Sequence, residues 1–170
     1  ARARTLVTRA QGDVNMPRVR SGEGATIHQS DAAPFILVVH SDPELARPAE
    51  IALRNTGARV DVATSRDLTS ALDEHRPDAI ILDLRLAGVG GIAAADYIRR
   101  TPAGRSVPII FLAHKSNDLE REAASEYGPI VDEPLHAPAF CALVRDLVTE
   151  HRDILASHTV RLGGPKLLHA

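Results

Sequence analysis

Residues 77–91, PDAIILDLRLAGVGG, decide the fold. Ala79-Ile80-Ile81-Leu82 is an unbroken apolar run, too short for a helix and without the polar alternation of a strand that has one wet face. It predicts a strand over 79–84, covered on both sides, as in the middle of a parallel sheet. The run ends on a carboxylate, Asp83, which packing alone does not explain. A loop containing Gly88, Gly90 and Gly91 follows.

Working outward, similar apolar runs recur at 35–40 (FILVVH), 59–63 (RVDVA), 107–113 (VPIIFLA) and 129–132 (PIVD). Amphipathic stretches at about 43–56, 65–76, 91–101, 117–126 and 137–152 separate them. Short apolar strands alternating with longer helices predict a parallel sheet with helices on both faces and right-handed crossovers. Ser41-Asp42-Pro43-Glu44 carries a helix start: a capping side chain, a proline for the first turn and a glutamate three residues after the serine. Gly57 supplies the stop. Pro48, which removes a backbone donor, should bend the first helix or delay its start. Phe35, Phe111 and Phe140 are expected in the core.

The composition bounds the function. With 170 residues, 44% hydrophobic and 25% charged, the chain suits one globular domain with flanking sequence. A net charge of -2 removes the bulk electrostatic argument for binding nucleic acid or an anionic membrane. Residues 1–34 lack periodic apolar positions and are expected to be a flexible arm, 35–152 the domain and 153–170 a C-terminal tail broken by Gly163-Gly164-Pro165. The lone Cys141 excludes an internal disulfide and is expected as a core thiol, so a cytoplasmic location is expected. The only lysines are Lys115 and Lys166, which leaves few candidates for chemistry that needs an ammonium group.

In an open parallel sheet, functional side chains gather at the carboxyl ends of the strands. That selects His40-Ser41-Asp42, Asp83, Ala113-His114-Lys115 and Asp132-Glu133-Pro134. ILVVHSDPEL (36–45), PDAIILDLRLAGVGG, VPIIFLAHK (107–115) and IVDEP (130–134), in this order and spacing, resemble the receiver domain of bacterial two-component response regulators. The resemblance implies a flavodoxin-like, doubly wound five-stranded parallel sheet of order 2-1-3-4-5. It further implies phosphoryl transfer from a histidine kinase to Asp83, with a divalent cation and a lysine neutralising the developing charge.

Carried over residue by residue, Asp83 matches the phosphoacceptor and Pro134 the proline that follows a cis peptide. The family's two magnesium-holding acids fall on His40 and Ser41, neither of which replaces a carboxylate for a hard cation. Asp42 and Asp83 remain as weak metal candidates, with Asp42 better explained as a helix cap. The hydroxyl residue of the fourth strand falls on Ala113, the switch aromatic on Ile130, the proline after the acceptor on Ala87 and the essential lysine on Glu133. At ~5 Å and an effective dielectric constant of ~20, a lysine attracts each phosphoryl charge by about 3 kcal/mol and a glutamate repels it by as much. The difference of about 6 kcal/mol equals roughly four powers of ten in rate if fully expressed in the transition state.

The expectation is therefore an atypical receiver, not an enzyme, with impaired or lost phosphorylation. It would act on a signalling protein or histidine kinase, with no membrane, no direct nucleic acid and a homodimer as the candidate assembly. The rival within the family is a working acceptor in which Lys115 folds back as a compensating cation. His40 could pair with Asp83. Magnesium is expected only under that rival. The rival of another class is a small ligand-binding or enzymatic flavodoxin-like domain. Against it, the first strand is followed by no glycine-rich phosphate loop, and the few aromatics could hardly stack a flavin.

Overall fold

The computed structural model describes residues 32–162. Five strands, β1 (Phe35–Val39), β2 (Arg59–Ala63), β3 (Ala79–Asp83), β4 (Ile109–Ala113) and β5 (Ile130–Asp132), form one parallel sheet in the order β2-β1-β3-β4-β5. The helices α1 (Pro43–Arg54), α2 (Leu68–Glu74), α3 (Gly91–Arg100), α4 (Asp118–Ser125) and α5 (Ala137–Leu162) connect or follow them. β1, β3 and β4 are buried at every position, as their unbroken apolar runs require.

Alternating side chains of those strands feed two cores. Leu37, Val39, Ile80, Leu82, Ile109 and Phe111 pack under α2, α3 and α4 through Leu72, Ile98 and Ala124. On the other face Ile36, Val38, Ile81, Ile110 and Leu112 meet α1 and α5 through Leu53, Phe140 and Val144. Each such aliphatic or aromatic side chain contributes about 1.5–3 kcal/mol by leaving water. This rigid two-sided support holds the strand ends, and hence the site, in place.

One local alternative closes and two helix bounds change. The first helix starts where its cap predicts, with Ala46 N–H bonding Asp42 O at 3.1 Å, and keeps Pro48 inside it. Asp42 is the cap, its Oδ1 accepting from Glu44 N–H at 2.9 Å, so Ser41 is free for another role. α2 begins at Leu68, because Thr64 donates to Asp67 Oδ2 and Asp67 N–H to Thr64 O, closing a turn over the residues expected as its first. α5 does not stop at Arg152. It continues to Leu162, the last described residue, with no Gly or Pro after Arg152 to interrupt it.

Of the arm expected over 1–34, residues 1–31 lie outside the described residues, as do 163–170 of the tail. Residues Ala32 and Pro34 are tied to the body: Arg152 donates to Ala32 O and Arg59 N–H to Pro34 O. Among the described residues no helix is long and apolar enough to cross a membrane.

Candidate functional site

Asp83 ends β3 at the carboxyl edge of the sheet, only 8% exposed. Its Oδ1 accepts from the Arg85 backbone N–H at 2.9 Å. Its Oδ2 lies 3.4 Å from the Ser41 hydroxyl, a long contact for a hydroxyl donor. The loop after it turns on Gly88 and Gly90, both at positive φ, and doubles back so closely that a Cβ on Gly91 would lie 2.5 Å from Asp83 O.

His40 is buried beside the acceptor position, with Nδ1 3.9 Å from Asp83 Oδ2. That nitrogen accepts from the Asp42 backbone N–H at 3.0 Å, so its lone pair is committed to the loop and the ring carries its proton on Nε2. A charged pairing of His40 with Asp83 would need a proton on the nitrogen already serving as acceptor. The contact is proximity rather than a hydrogen bond. Ser41, meanwhile, accepts from the Ala87 N–H, and Ser65 after β2 donates to Ala87 O at 3.0 Å.

The remaining predicted positions line the neighbouring strand ends. Ala113 ends β4, buried and without a hydroxyl. Lys115 follows at φ 51, exposed, and among the described residues makes no ion pair with Asp83; His114 beside it is exposed as well. Ile130 opens β5, half-buried against the α2–α4 core. Glu133 is half-buried, donates its N–H to Ala113 O at 3.0 Å and precedes Pro134 through a cis peptide bond, as the resemblance implied. Asp132 belongs to a different arrangement: both its oxygens accept from Arg121 of α4. Cys141 is half-buried on α5, where burial pushes its thiol up and its Sγ meets Ala52 O at 3.4 Å.

Sequence reasoning missed Ser65 and Arg121. Ser65 could have been found, since it follows a strand end on the functional edge. Arg121 could not, because nothing in the helical sequence of α4 points to a strand residue eleven positions on.

This edge, a doubly wound sheet with a buried carboxylate at the end of its central strand, defines a receiver domain. The sequence profile of the response regulator receiver domain matches residues 36–130, and the chain belongs to that family. It is 36% identical over 123 residues to the DNA-binding response regulator MtrA of Mycolicibacterium smegmatis, covering 69% of this chain and 52% of that one. It is 29% identical to the phosphate regulon transcriptional regulatory protein PhoB of Rhizobium meliloti, covering 79% of this chain and 60% of that one. The chain thus spans about half the length of the curated relatives it matches.

Among solved structures, it resembles the receiver domain of sensor histidine kinase PA1611 from Pseudomonas aeruginosa PAO1, described with magnesium coordinated in the active-site cleft. The TM-score is 0.63 and the identity 27%, covering 69% of this chain and 99% of that one. A response regulator from Chloroflexus aurantiacus, 23% identical with TM-score 0.64 over 69% of this chain and 99% of that one, shares the fold.

The residues present here do not fit a magnesium ion. Magnesium takes hard oxygen ligands at near-octahedral geometry. Asp42 Oδ1 is engaged at the start of α1, Ser41 Oγ is engaged with Ala87, and His40 stands where a carboxylate would help. Among the described residues no group of three or more His, Cys, Asp or Glu side chains could hold a metal ion.

Proposed function

We propose that this receiver domain is an atypical one that signals by binding a partner protein, with metal-assisted phosphorylation of Asp83 impaired or lost. The observation that carries this reading is the company Asp83 keeps. Its carboxylate meets one backbone N–H and one distant hydroxyl, and among the described residues no Lys or Arg side chain pairs with it. Phosphoryl transfer concentrates negative charge at the acceptor, and catalysis there consists of positioning and neutralising that charge. Glu133 and Ala113 at the adjoining strand ends supply neither a cation nor a hydroxyl. The estimate of about 6 kcal/mol for the reversed charge shrinks where water reaches the half-buried Glu133, but its sign stays unfavourable.

In this reading the partner is a histidine kinase or another signalling protein in the cytoplasm, and a pair of these chains is the candidate assembly. DNA binding is named for the MtrA relatives and is not assigned to the receiver segment. The test is incubation with a small phosphodonor and magnesium, followed by intact-mass measurement. The unchanged mass of the chain is the expected result. A gain of one phosphoryl group that disappears in Asp83→Asn would establish a working acceptor instead.

A further inference from the structure

Ala87 is exposed, so water could satisfy its backbone, yet both of its polar groups are held by serine side chains from other loops. Its N–H donates to Ser41 Oγ, ahead of α1, and its carbonyl accepts from Ser65 Oγ, after β2. These loops leave β2 and β1, and β3, which carries the acceptor, lies next to β1. One residue of the acceptor loop is therefore stitched across three adjacent strand ends.

We propose that Ser41 and Ser65 form a clasp that fixes the acceptor loop beside Asp83, with Ser41 as the positioning residue; this rests on the reading that the site works without a divalent cation. Gly88 and Gly90 follow Ala87 at positive φ, so the loop has backbone freedom that must be selected from rather than a single enforced course. The clasp makes that selection. Within it the strengths are unequal. The Ala87 N–H to Ser41 bond is short, whereas Ser41 reaches Asp83 Oδ2 only at 3.4 Å. Ser41 is accordingly anchored by the loop and merely rests against the carboxylate. The arrangement needs an N–H at residue 87, which a proline could not offer, and a hydroxyl at residue 41 that accepts from it. The residue types present meet both conditions.

The experiment is amide hydrogen exchange by NMR on the full chain, read at Ala87, with Gly90 as the internal reference because its N–H bonds Leu86 O within the same loop. The clasp predicts a protected Ala87 amide whose exchange is the same in magnesium chloride and in EDTA. Ser41→Ala should accelerate it about five- to tenfold while leaving Gly90 unchanged, as expected for loss of one hydrogen bond. Ser41→Thr, which keeps the hydroxyl, should restore protection. An unprotected Ala87 amide in the unmodified chain, protection that appears only with magnesium, or no response to Ser41→Ala would each overturn the proposal. The first two need no variant and decide the matter even if Ser41→Ala fails to fold. A phosphoryl adduct on Asp83 would instead overturn the reading of the site on which the clasp's independence of a divalent cation rests, whereas exchange at Ala87 in EDTA tests the clasp itself.

Discussion

Asp78 and Asp83 bracket the same strand, and their surroundings could hardly differ more. Asp78, just before β3, accepts from Arg152 Nε and from a second guanidinium nitrogen, each at 2.8 Å, and from the Phe35 N–H at 2.8 Å. Burial alone would push its carboxyl up. The Arg152 hydrogen bonds, the Phe35 N–H, and the charges of Arg152 and His151 outweigh that and hold it below the ordinary 3.8. Asp83, at the other end, pairs with no guanidinium among the described residues. The amino edge of the sheet therefore uses its carboxylate as a strut joining β1, β3 and α5, while the carboxyl edge keeps one that supports very little. On the reading proposed above, a buried carboxylate with so few partners is what a site inherited from phosphotransfer chemistry would leave behind.

The contrast predicts a ranked set of losses. Asp78→Ala should cost the most, about 3 kcal/mol in chemical denaturation, because it takes the carboxylate from a half-buried guanidinium and the acceptor from the Phe35 N–H. Arg152→Ala should follow at about 2 kcal/mol, since the Phe35 N–H still serves Asp78 and the pair is about one-fifth exposed.

Acid should act through the same edge. Because the folded-state value of Asp78 is depressed, its contribution is present above the ordinary 3.8 and lost as pH falls through the folded value. Asp78→Asn should therefore flatten the stability profile below about pH 4. His151 titrates in a separate window. Burial pushes it below its ordinary 6.5, Arg152 and Arg99 add to this, and Asp78 opposes. The unfolded chain then binds the proton first, so stability falls as pH drops below 6.5, and His151→Gln should remove that slope. Smallest of all, Asp83→Asn should change stability by less than about 1 kcal/mol, since an amide oxygen still accepts from Arg85 N–H. A loss at Asp83 as large as that at Asp78 would erase the distinction between the two ends.

The sheet was legible because strands buried on both faces are written as unbroken apolar runs, and 79–82 could be nothing else in an alternating α/β chain. Helix ends were less so. The turn at Thr64–Asp67 depends on one bond between two side chains and one between backbone groups, and α5 continues past the end expected for it. At the site, strand-end logic selected Asp83, His40, Ser41, Ala113 and Glu133 as candidates. It could not foresee which partner each would choose. His40 turns its acceptor nitrogen to the backbone two residues on, Asp132 is taken by Arg121, and the two serines meet at Ala87. Those choices arise from loops that converge only after the sheet has assembled, so no local pattern encodes them.

One comparison of rates tests the chemistry at Asp83 most directly. The chain and its His40→Asp, Ser41→Asp, Glu133→Lys variant are given the same phosphodonor and magnesium, and phosphoryl incorporation at Asp83 is followed by mass over time. Incorporation in the variant with none in the original chain is the predicted result. Equal, rapid incorporation in both would contradict the claim that the lost carboxylates and the reversed charge disabled this site.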